Sequence, residues 1–248
     1  MKIKLLQWNI WYKENIANIV SEIKKMDPDV ICLQEVTVNH PTYNKIDCVK
    51  FLQKELGMKG YYKYSEKIKG GEGASFGNMI LSKYPIKKKK FAYVQKRKGK
   101  LGADYADENR IYLEINLSVG KKTLQVGTTH LSYTHKFLET EKKRKEAGEL
   151  LKIVGKKKKN FIFSGDLNSL PDSSSLVQRL EGKLKNAEED LSKKTWTTKP
   201  FDYNGFKVDK LKYKLDYCYV TKDLNVLSAK VAKTKYSDHL PILCEFDV

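Results

Sequence analysis

The tetrapeptide Gly165-Asp166-Leu167-Asn168 places a carboxylate and an amide two residues apart, directly after a short apolar run at residues 160–163. That run predicts a buried strand, so the polar pair is expected where the strand ends. In an extended segment, side chains two residues apart lie on the same face. A carboxylate there can orient a water molecule, and an amide beside it can hold a phosphate oxygen. The same tetrapeptide is also typical of a simple turn, so a functional interpretation needs partners elsewhere in the chain.

Six further polar residues stand at the ends of other predicted strands. They are Asn9, Glu35, His130, Asp216, Asp238 and His239. Each one alone is also typical of a turn, a cap, a surface position or a hydrogen-bonded strand end. The packing of two sheets brings strand ends to a common rim, however, so the recurrence of such residues indicates one site.

Alternating strand and helix signals predict the frame that must carry these residues. Strands are predicted over residues 3–9, 30–34, 61–65, 78–82, 91–95, 110–117, 123–129, 161–163, 215–220, 225–231 and 242–246. Helices are predicted over residues 15–26, 43–56, 136–154 and 173–180, and residues 186–212 are expected to be irregular. Because hairpins and strand–helix–strand units are mixed, we expect an α/β sandwich of two mainly antiparallel sheets, packed face to face with helices outside.

The charge balance favours a polyanionic partner. The 48 basic and 30 acidic residues give a formal net charge of +18, which suits nucleic acid or an anionic membrane surface. Only four of the basic residues are arginine, however, and a lysine surplus also arises from genomic composition or growth at high temperature. Lysine-rich runs at residues 87–90, 96–100 and 156–159 are suited to a phosphate backbone, although the first and last also fit solvated loops. No feature of the sequence indicates a protein partner.

The cysteine pattern and the lack of long apolar segments bear on location. None of the four cysteines forms a Cys-x-x-Cys pair, so we expect buried thiols in a reducing compartment rather than disulfides or zinc ligands. No apolar run approaches the ~20 residues that span a bilayer. Residues 1–8 fit a first strand better than a signal peptide. The expected location is therefore cytoplasmic.

Seven segments, taken in order, resemble the motif series of the endonuclease/exonuclease/phosphatase superfamily, whose members include deoxyribonuclease I. They are Gln7-Trp8-Asn9, Leu33-Gln34-Glu35, the segment from Gly77 to Pro85, Thr129-His130-Leu131, Gly165-Asp166-Leu167-Asn168, Leu215-Asp216-Tyr217 and Ser237-Asp238-His239. The resemblance runs from residue 3 to residue 247. It implies a four-layer α/β sandwich, which we expect to form a single domain over residues 1–248.

The resemblance also implies a divalent cation, normally Mg²⁺, with Mn²⁺ as a substitute. Carried over position by position, Glu35 is the main metal carboxylate, and Asn9 and Asp238 lie close to the metal. The residue types agree with this assignment, because Mg²⁺ prefers hard oxygen ligands and uses only one or two carboxylates.

The remaining motif residues are implied to be catalytic. Asp166 would orient or deprotonate the attacking water, and Asn168 would hold a phosphate oxygen. His239 would stabilise the developing charge on the phosphate, with Asp216 fixing its tautomer and favouring its protonated form. His130 would donate to the phosphate or the leaving group from the other side. Together these donors and the cation would stabilise the negative charge that develops on the phosphate during an in-line phosphoryl displacement.

The resemblance leaves the substrate open. A nuclease or nucleic-acid end-processing phosphodiesterase, acting on DNA or RNA, agrees best with the basic charge. The alternative is a phosphatase or phosphodiesterase acting on a lipid head group or a small phosphate ester. Three residues are assigned to substrate binding: Asn78 in the third motif, Arg110 beside its expected partner Glu108, and Trp196 as a stacking platform. A non-catalytic binding protein is disfavoured, because every catalytic position of the family is filled.

Overall fold

The computed structural model describes residues 1–70, 72–97, 107–188 and 190–248. The strands of these residues are β1 (Lys2–Asn9), β2 (Val30–Val38), β3 (Lys59–Lys67), β4 (Ser75–Ser82), β5 (Ile86–Gln95), β6 (Arg110–Val119), β7 (Lys122–His130), β8 (Phe161–Asp166), β9 (Lys185–Asn186), β10 (Phe201–Tyr203), β11 (Phe206–Val208), β12 (Asp216–Val220), β13 (Asn225–Val231) and β14 (Ile242–Asp247). The helices are α1 (Ile16–Met26), α2 (Cys48–Leu56), α3 (Glu141–Val154) and α4 (Ser175–Glu181), with a 3-10 turn at His135–Phe137.

Twelve of these strands form two six-stranded sheets. The first sheet has the order β13-β14-β1-β2-β4-β3, and the second has the order β5-β6-β7-β8-β12-β9. Among the described strands, β1–β2 and β7–β8 are the parallel pairs, and the other neighbours are antiparallel. A separate short hairpin is formed by β10 and β11. The prediction of two mainly antiparallel sheets is therefore confirmed.

The apolar side chains of the chain form three large layers of contact. The inner faces of the two sheets pack on each other through residues such as Leu5 and Cys32 from the first sheet and Leu113 and Val126 from the second. The outer face of the first sheet packs against α1 and α2. The outer face of the second sheet packs against α3 and α4. This is the four-layer α/β sandwich that the sequence predicts.

The parallel strand pairs bring the predicted functional residues to one rim. β1 ends at Asn9, beside the part of β2 that carries Glu35. β7 and β8 also run side by side, and the last pair in their register is His130 with Asp166. β12 runs the opposite way and begins at Asp216, directly across from Asp166. At this rim the two sheets are in direct contact: the side chain of Asn9, from the first sheet, donates a hydrogen bond to Asp166, from the second.

Two helices begin later than their apolar spacing predicts. The helix predicted from residue 43 begins only at the start of α2, and the one predicted from residue 136 begins only at the start of α3. In both cases a side chain decides the start: Asp47 accepts a hydrogen bond from the amide of Lys50, and Thr140 accepts one from the amide of Lys143. Such a cap satisfies an amide of the first turn that has no partner within the helix.

The lysine-rich runs differ in structure. Residues 87–90 lie within β5 rather than in the loop that their charge predicts, and all four side chains are exposed. β5 is an edge strand, where lysines project into solvent and discourage pairing with another chain. Residues 156–159 lie between α3 and β8, as expected for a loop. Of the run at residues 96–100, positions 98–100 lie outside the described residues.

None of the helices in the described ranges combines the length and the apolar character that crossing a membrane requires.

Candidate active site

Asn9 joins the two sheets at the centre of the rim. Its side-chain nitrogen donates hydrogen bonds to Glu35 Oε1 at 3.1 Å and to Asp166 Oδ2 at 3.0 Å. Its side-chain oxygen accepts a hydrogen bond from the amide of Trp11 at 3.1 Å. The oxygen is the atom that a cation would bind, and it is engaged by the backbone. Asn9 is therefore placed to orient Glu35, and its oxygen, which has a second lone pair, stays a predicted neighbour of the metal.

Glu35 reaches the rim through an irregularity in β2. The register of β2 with β4 shifts between Leu33 and Val36, and Glu35 has a φ of 62°. A bulge of this kind re-aims a side chain, and a left-handed glutamate is an uncommon conformation. The second carboxylate oxygen of Glu35 accepts a hydrogen bond from the amide of Tyr12 at 3.1 Å. Burial, reinforced by the nearby Asp238 carboxylate, raises the pKa of Glu35 to about 7.

Asp238 faces the same space as Glu35. Its Oδ2 accepts a hydrogen bond from the indole nitrogen of Trp196 at 3.1 Å. Its Oδ1 is buried and has no hydrogen-bond partner within the described ranges. Burial raises the pKa of Asp238. The half-buried carboxylates of Glu35 and Asp238 fit a divalent cation. The cation would offset the repulsion between the two negative charges and would supply Asp238 Oδ1 with the partner that it lacks.

A second set of possible ligand atoms is less suited to a cation. Asp166, Asp216 and His239 present such atoms within 4.8 Å of one another. However, Asp216 Oδ2 lies 2.8 Å from His239 Nδ1, so these two groups already satisfy each other. Burial by itself would lower the pKa of His239, but the carboxylates of Asp216, Asp166 and Asp238 raise it to about 10. A protonated imidazole offers no lone pair to a metal.

His239 is held by several contacts on one side of the cleft. Its amide donates to Ser237 Oγ at 3.1 Å, and that hydroxyl donates to the carbonyl of Asn9 at 2.7 Å. The amide of Asp216 donates to Thr195 Oγ1 at 3.2 Å, which secures the start of β12. The Nε2 atom of His239 lies 3.6 Å from Asp166 Oδ2. The imidazolium is thus oriented by Asp216 and directed at Asp166.

Asp166 lies between two imidazoles. His130 Nε2 is 3.4 Å from Asp166 Oδ2, the oxygen that His239 Nε2 also approaches. The amide of Asn168 donates to Asp166 Oδ1 at 2.9 Å, and Asn168 adopts a φ of 45°, a conformation that asparagine tolerates. Burial raises the pKa of Asp166 to about 6, although the charge of His239 partly offsets this. A carboxyl with such a pKa is suited to exchange a proton near neutral pH.

His130 differs from His239 in charge. Its Nε2 accepts a hydrogen bond from Asn168 Nδ2 at 3.2 Å. Burial, followed by the nearby Arg110 cation, places the pKa of His130 well below its ordinary value. This lowered pKa favours the neutral imidazole. If Asn168 donates to Nε2, the proton lies on Nδ1, a buried atom that has no hydrogen-bond partner in the part of the chain that the structure describes.

The predicted substrate-binding residues are placed differently from one another. Arg110 lines the cleft and pairs with Glu108 at 2.7 Å, as expected. Trp196 contributes to the cleft wall but is only 4% exposed, so it lacks the free face that base stacking requires. Its indole nitrogen instead holds Asp238. Asn78 does not line the cleft; it is buried and donates to the carbonyl of Ile111 at 3.3 Å, which links the two sheets.

The rim residues open into a cleft of about 620 Å³. Beyond the catalytic candidates, its wall carries five basic side chains, Lys13, Lys67, Lys69, Arg110 and Lys199, and three acidic ones, Glu66, Glu108 and Asp202. It also carries aromatic side chains, among them Trp11, Tyr12, Phe76, Tyr133, Phe201 and Tyr203. Lysines and aromatic rings in one wall suit a phosphate ester that bears a planar group.

Comparison with known proteins agrees with this arrangement of motifs. The family model described as "Endonuclease/Exonuclease/phosphatase family" matches residues 6–239. The chain belongs to this family. Members of the endonuclease/exonuclease/phosphatase family are hydrolases of phosphoester bonds. Among curated proteins, no sequence matches the chain.

Solved structures of the family share the fold of the whole chain. An endonuclease/exonuclease/phosphatase from Beutenbergia cavernae is 19% identical with a TM-score of 0.81, over 100% of this chain and 72% of that one. The human Nocturnin catalytic domain with bound sulfate is 19% identical with a TM-score of 0.70, over 99% and 94% of the two chains. TDP2 from D. rerio, complexed with a single-strand DNA product, is 17% identical with a TM-score of 0.71, over 100% and 99%.

Lys143 is a residue beneath the site that sequence reasoning missed. Its ammonium group is buried and donates to the carbonyls of Ser132 at 2.5 Å and Leu167 at 2.8 Å. These carbonyls belong to the segments that follow His130 and Asp166. Lys143 therefore ties the two segments together from α3. The signal in the sequence is weak, because a lysine in a lysine-rich helix is usually solvated.

Proposed function

We propose that this protein is a divalent-metal-dependent phosphodiester hydrolase that acts on nucleic acid, as a nuclease or an end-processing enzyme. One observation carries the proposal: a single cleft contains two sets of groups. The first set is the Asp166 carboxylate with the imidazoles of His130 and His239. The second set is the carboxylates of Glu35 and Asp238, of which Asp238 Oδ1 has no hydrogen-bond partner within the described ranges. The first set can activate water and donate to phosphate. The second set can hold a cation.

Glu35 and Asp238 are the residues that would hold the cation, which we propose to be Mg²⁺, with Mn²⁺ as a substitute. Asn9 keeps Glu35 in place through its hydrogen bond. A bound cation would neutralise charge that develops on the phosphate oxygens. The fit rests on the unpaired Oδ1 of Asp238 and on the presence of Glu35 and Asp238 in the lining of one cleft.

Asp166 is the proposed general base. Its Oδ1 accepts a hydrogen bond from the amide of Asn168, and its Oδ2 accepts one from Asn9. The remaining lone pair of Oδ2, the oxygen that both imidazoles approach, is the proposed acceptor of a proton from water. Removal of a proton from that water would place negative charge on the nucleophile, next to the cationic His239. The raised pKa of Asp166 makes it a stronger base than an ordinary aspartate.

His239 and His130 are the proposed donors to the phosphate. His239 enters the reaction protonated, because Asp216 stabilises the imidazolium through Nδ1. His130 enters neutral and presents one N–H group. Two donors with different charge can hold two phosphate oxygens without repelling each other as a pair of imidazolium ions would. Asn168 orients His130 through its side-chain nitrogen.

Nucleic acid is the proposed substrate because of the charge of the chain and of the cleft. The formal net charge is +18. Among the described residues outside the catalytic set, the cleft wall carries five basic side chains against three acidic ones, Glu66, Glu108 and Asp202. The complex of D. rerio TDP2 with a single-strand DNA product supports the same class of substrate, since that protein shares the fold. The four cysteines are buried free thiols, which supports the reducing, cytoplasmic location that we propose.

The decisive experiment compares substrates rather than conditions alone. The protein is assayed on labelled single- and double-stranded DNA and RNA, on 5′-tyrosyl ends and on small phosphate esters, with and without Mg²⁺ or Mn²⁺. We expect metal-dependent hydrolysis of at least one polynucleotide. In Asp166→Asn, the rate is expected to fall about a hundred- to ten-thousand-fold, as for the loss of a general base.

Asp247→Asn is the matched control. Asp247 is exposed and pairs with the N-terminus at the end of β14 that is remote from the rim. This variant should retain the wild-type rate. Hydrolysis of small esters with no cleavage of any polynucleotide would instead select a phosphatase of lipid head groups or small esters.

A further inference from the structure

The open edge between the two sheets carries an unusual surface. β3 ends the first sheet and β5 ends the second, and the two edge strands lie beside each other. Aromatic and lysine side chains from both strands alternate along this edge. We define them as the edge ridge: Tyr61, Lys63, Lys89, Phe91, Tyr93 and Lys96.

The members of the edge ridge contact one another in pairs. Lys89 Nζ lies 5.7 Å from the ring centroid of Tyr61, and Lys63 Nζ lies 4.5 Å from that of Phe91. The ring of Phe91 meets the ring of Tyr93 edge to face, with centroids 5.9 Å apart. The ridge thus combines two lysine–ring pairs that join the two sheets with one ring–ring contact within β5.

Protection of an edge strand explains only part of this surface. Lysines on an edge discourage pairing with another chain, which accounts for the basic residues of β5. It does not account for Phe91, which is 42% exposed on the same edge. An exposed aromatic ring there promotes association, so its presence among lysines points to a ligand with both negative charge and planar groups.

The ridge leads directly to the cleft. β3 ends at Lys67, and both Lys67 and its neighbour Glu66 line the cleft. At the end of β5, Gln95 donates to Ser132 Oγ at 3.1 Å, next to the segment that carries His130. Six residues of extended chain separate Tyr61 from Lys67, or about 20 Å at ~3.3 Å each. That length matches about six stacked nucleotides at ~3.4 Å each.

We propose that the edge ridge binds single-stranded nucleic acid and guides it into the cleft; this rests on the proposed function. Phe91 is the exposed ring of the ridge, whereas Tyr61 and Tyr93 are half-buried against the core between the sheets. Stacking on Phe91 requires an unpaired base, so a single strand fits better than a duplex. The cations of the ridge are lysines, which contact phosphates as point charges and do not read base edges in the bidentate manner of arginine. The ridge therefore binds with little sequence preference.

The test measures binding apart from catalysis. Affinity for a labelled single-stranded oligonucleotide is measured in EDTA, so that no hydrolysis occurs. Phe91→Ala is expected to weaken binding between about 5-fold and about 150-fold, the range of one lost stacking contact. Lys63→Gln and Lys89→Gln should each reduce the slope of log affinity against log salt by about 0.7.

The opposite edge of the first sheet provides matched controls. Leu227→Ala removes an apolar side chain of β13 that is 40% exposed, and Lys230→Gln removes a lysine of the same strand. Both controls should bind the oligonucleotide as the wild type does. Thermal unfolding of all variants identifies any that fail to fold.

Three outcomes would overturn the proposal. One is wild-type affinity in the Phe91 and lysine variants together. Another is tighter binding of duplex than of single strand. The third is ridge-dependent binding to phosphatidylserine vesicles without binding to the oligonucleotide, which would assign the ridge to a membrane.

Hydrolysis of a small phosphate ester separates this proposal from the proposed function. Ridge variants should hydrolyse the small ester at the wild-type rate, because they leave the rim intact. A wild-type protein that binds single strands but hydrolyses no ester would refute the proposed function and leave the ridge as a binding surface.

Discussion

Asn9 shows how a single residue couples the two halves of the site. Its amide group donates to the proposed metal carboxylate Glu35 and to the proposed base Asp166. The two carboxylates belong to different sheets, so Asn9 also fixes their separation. A side chain with two donors is required here, because each carboxylate accepts one hydrogen bond from it.

Metal binding by Glu35 leads to a prediction for stability. Mg²⁺ or Mn²⁺ should raise the thermal midpoint of the wild type, because a ligand at about 100 times its dissociation constant stabilises the native state by ~2.7 kcal/mol. In Glu35→Gln, the increase should be much smaller. Differential scanning fluorimetry with and without metal measures this increase in the thermal midpoint. Glu149→Gln, on the exposed face of α3, should respond as the wild type does, and an equal response in Glu35→Gln would contradict the assignment.

Lys143 leads to a prediction about pH. Burial lowers the pKa of Lys143 to about 8 from an ordinary 10.5. Between these values the unfolded chain binds a proton that the folded protein does not, so the contribution of Lys143 to stability rises with pH across this window and is constant below it. The rise amounts to about 3 kcal/mol. It should appear in urea unfolding as a difference between the wild type and Lys143→Met at pH 8 and pH 10.5, and an unchanged difference would show that Lys143 titrates normally.

At the scale of elements, the parallel pair β7–β8 sets the spacing of the catalytic groups. Gly165 faces Thr129 across this pair, and a Cβ built on Gly165 would lie 2.3 Å from the carbonyl oxygen of Thr129. Only glycine permits the two backbones to approach so closely. The next residues along both strands are His130 and Asp166, so this spacing determines their 3.4 Å contact.

Two glycine substitutions should therefore have opposite effects on stability. Gly165→Ala should lower the free energy of unfolding by on the order of 2–4 kcal/mol and should also reduce activity, because β7 and β8 must separate. Gly148→Ala, in α3, meets no atom within 4 Å and should raise stability by about 1 kcal/mol. Urea unfolding of both variants measures the difference. Equal changes in the free energy of unfolding would show that the close approach of the Gly165 and Thr129 backbones does not exclude a larger side chain.

At the scale of the whole molecule, part of the lysine surplus lies on β5 and on the cleft wall. If about five phosphates are neutralised, affinity for a single strand should fall about a hundred-fold between ~50 mM and ~200 mM salt. The KM for a small, singly charged ester should change little over the same range. Steady-state kinetics on both substrates test this prediction. A flat salt dependence for the polynucleotide would indicate that the surplus reflects composition alone.

Much of the frame was predictable because it depends on local patterns. Alternating and continuous apolar runs indicated most strands of both sheets, and mixed connections indicated a sandwich rather than a parallel sheet. The helix starts were less predictable. Asp47 and Thr140 each fix the first residue of a helix through one capping hydrogen bond. The spacing of apolar residues does not predict this effect.

The sequence by itself determined the family and the residue types at the strand ends, since both are local properties of ordered motifs. Only the tertiary structure decided which atoms meet. It turned the oxygen of Asn9 toward Trp11, buried Trp196 against Asp238 and directed Asn78 to the other sheet. It also moved the pKa values of the two imidazoles in opposite directions, because three carboxylates surround His239, whereas burial and then the nearby Arg110 cation act on His130. Such contacts join residues that are distant in the chain, and the electrostatic environment of a buried group depends on all of its neighbours at once.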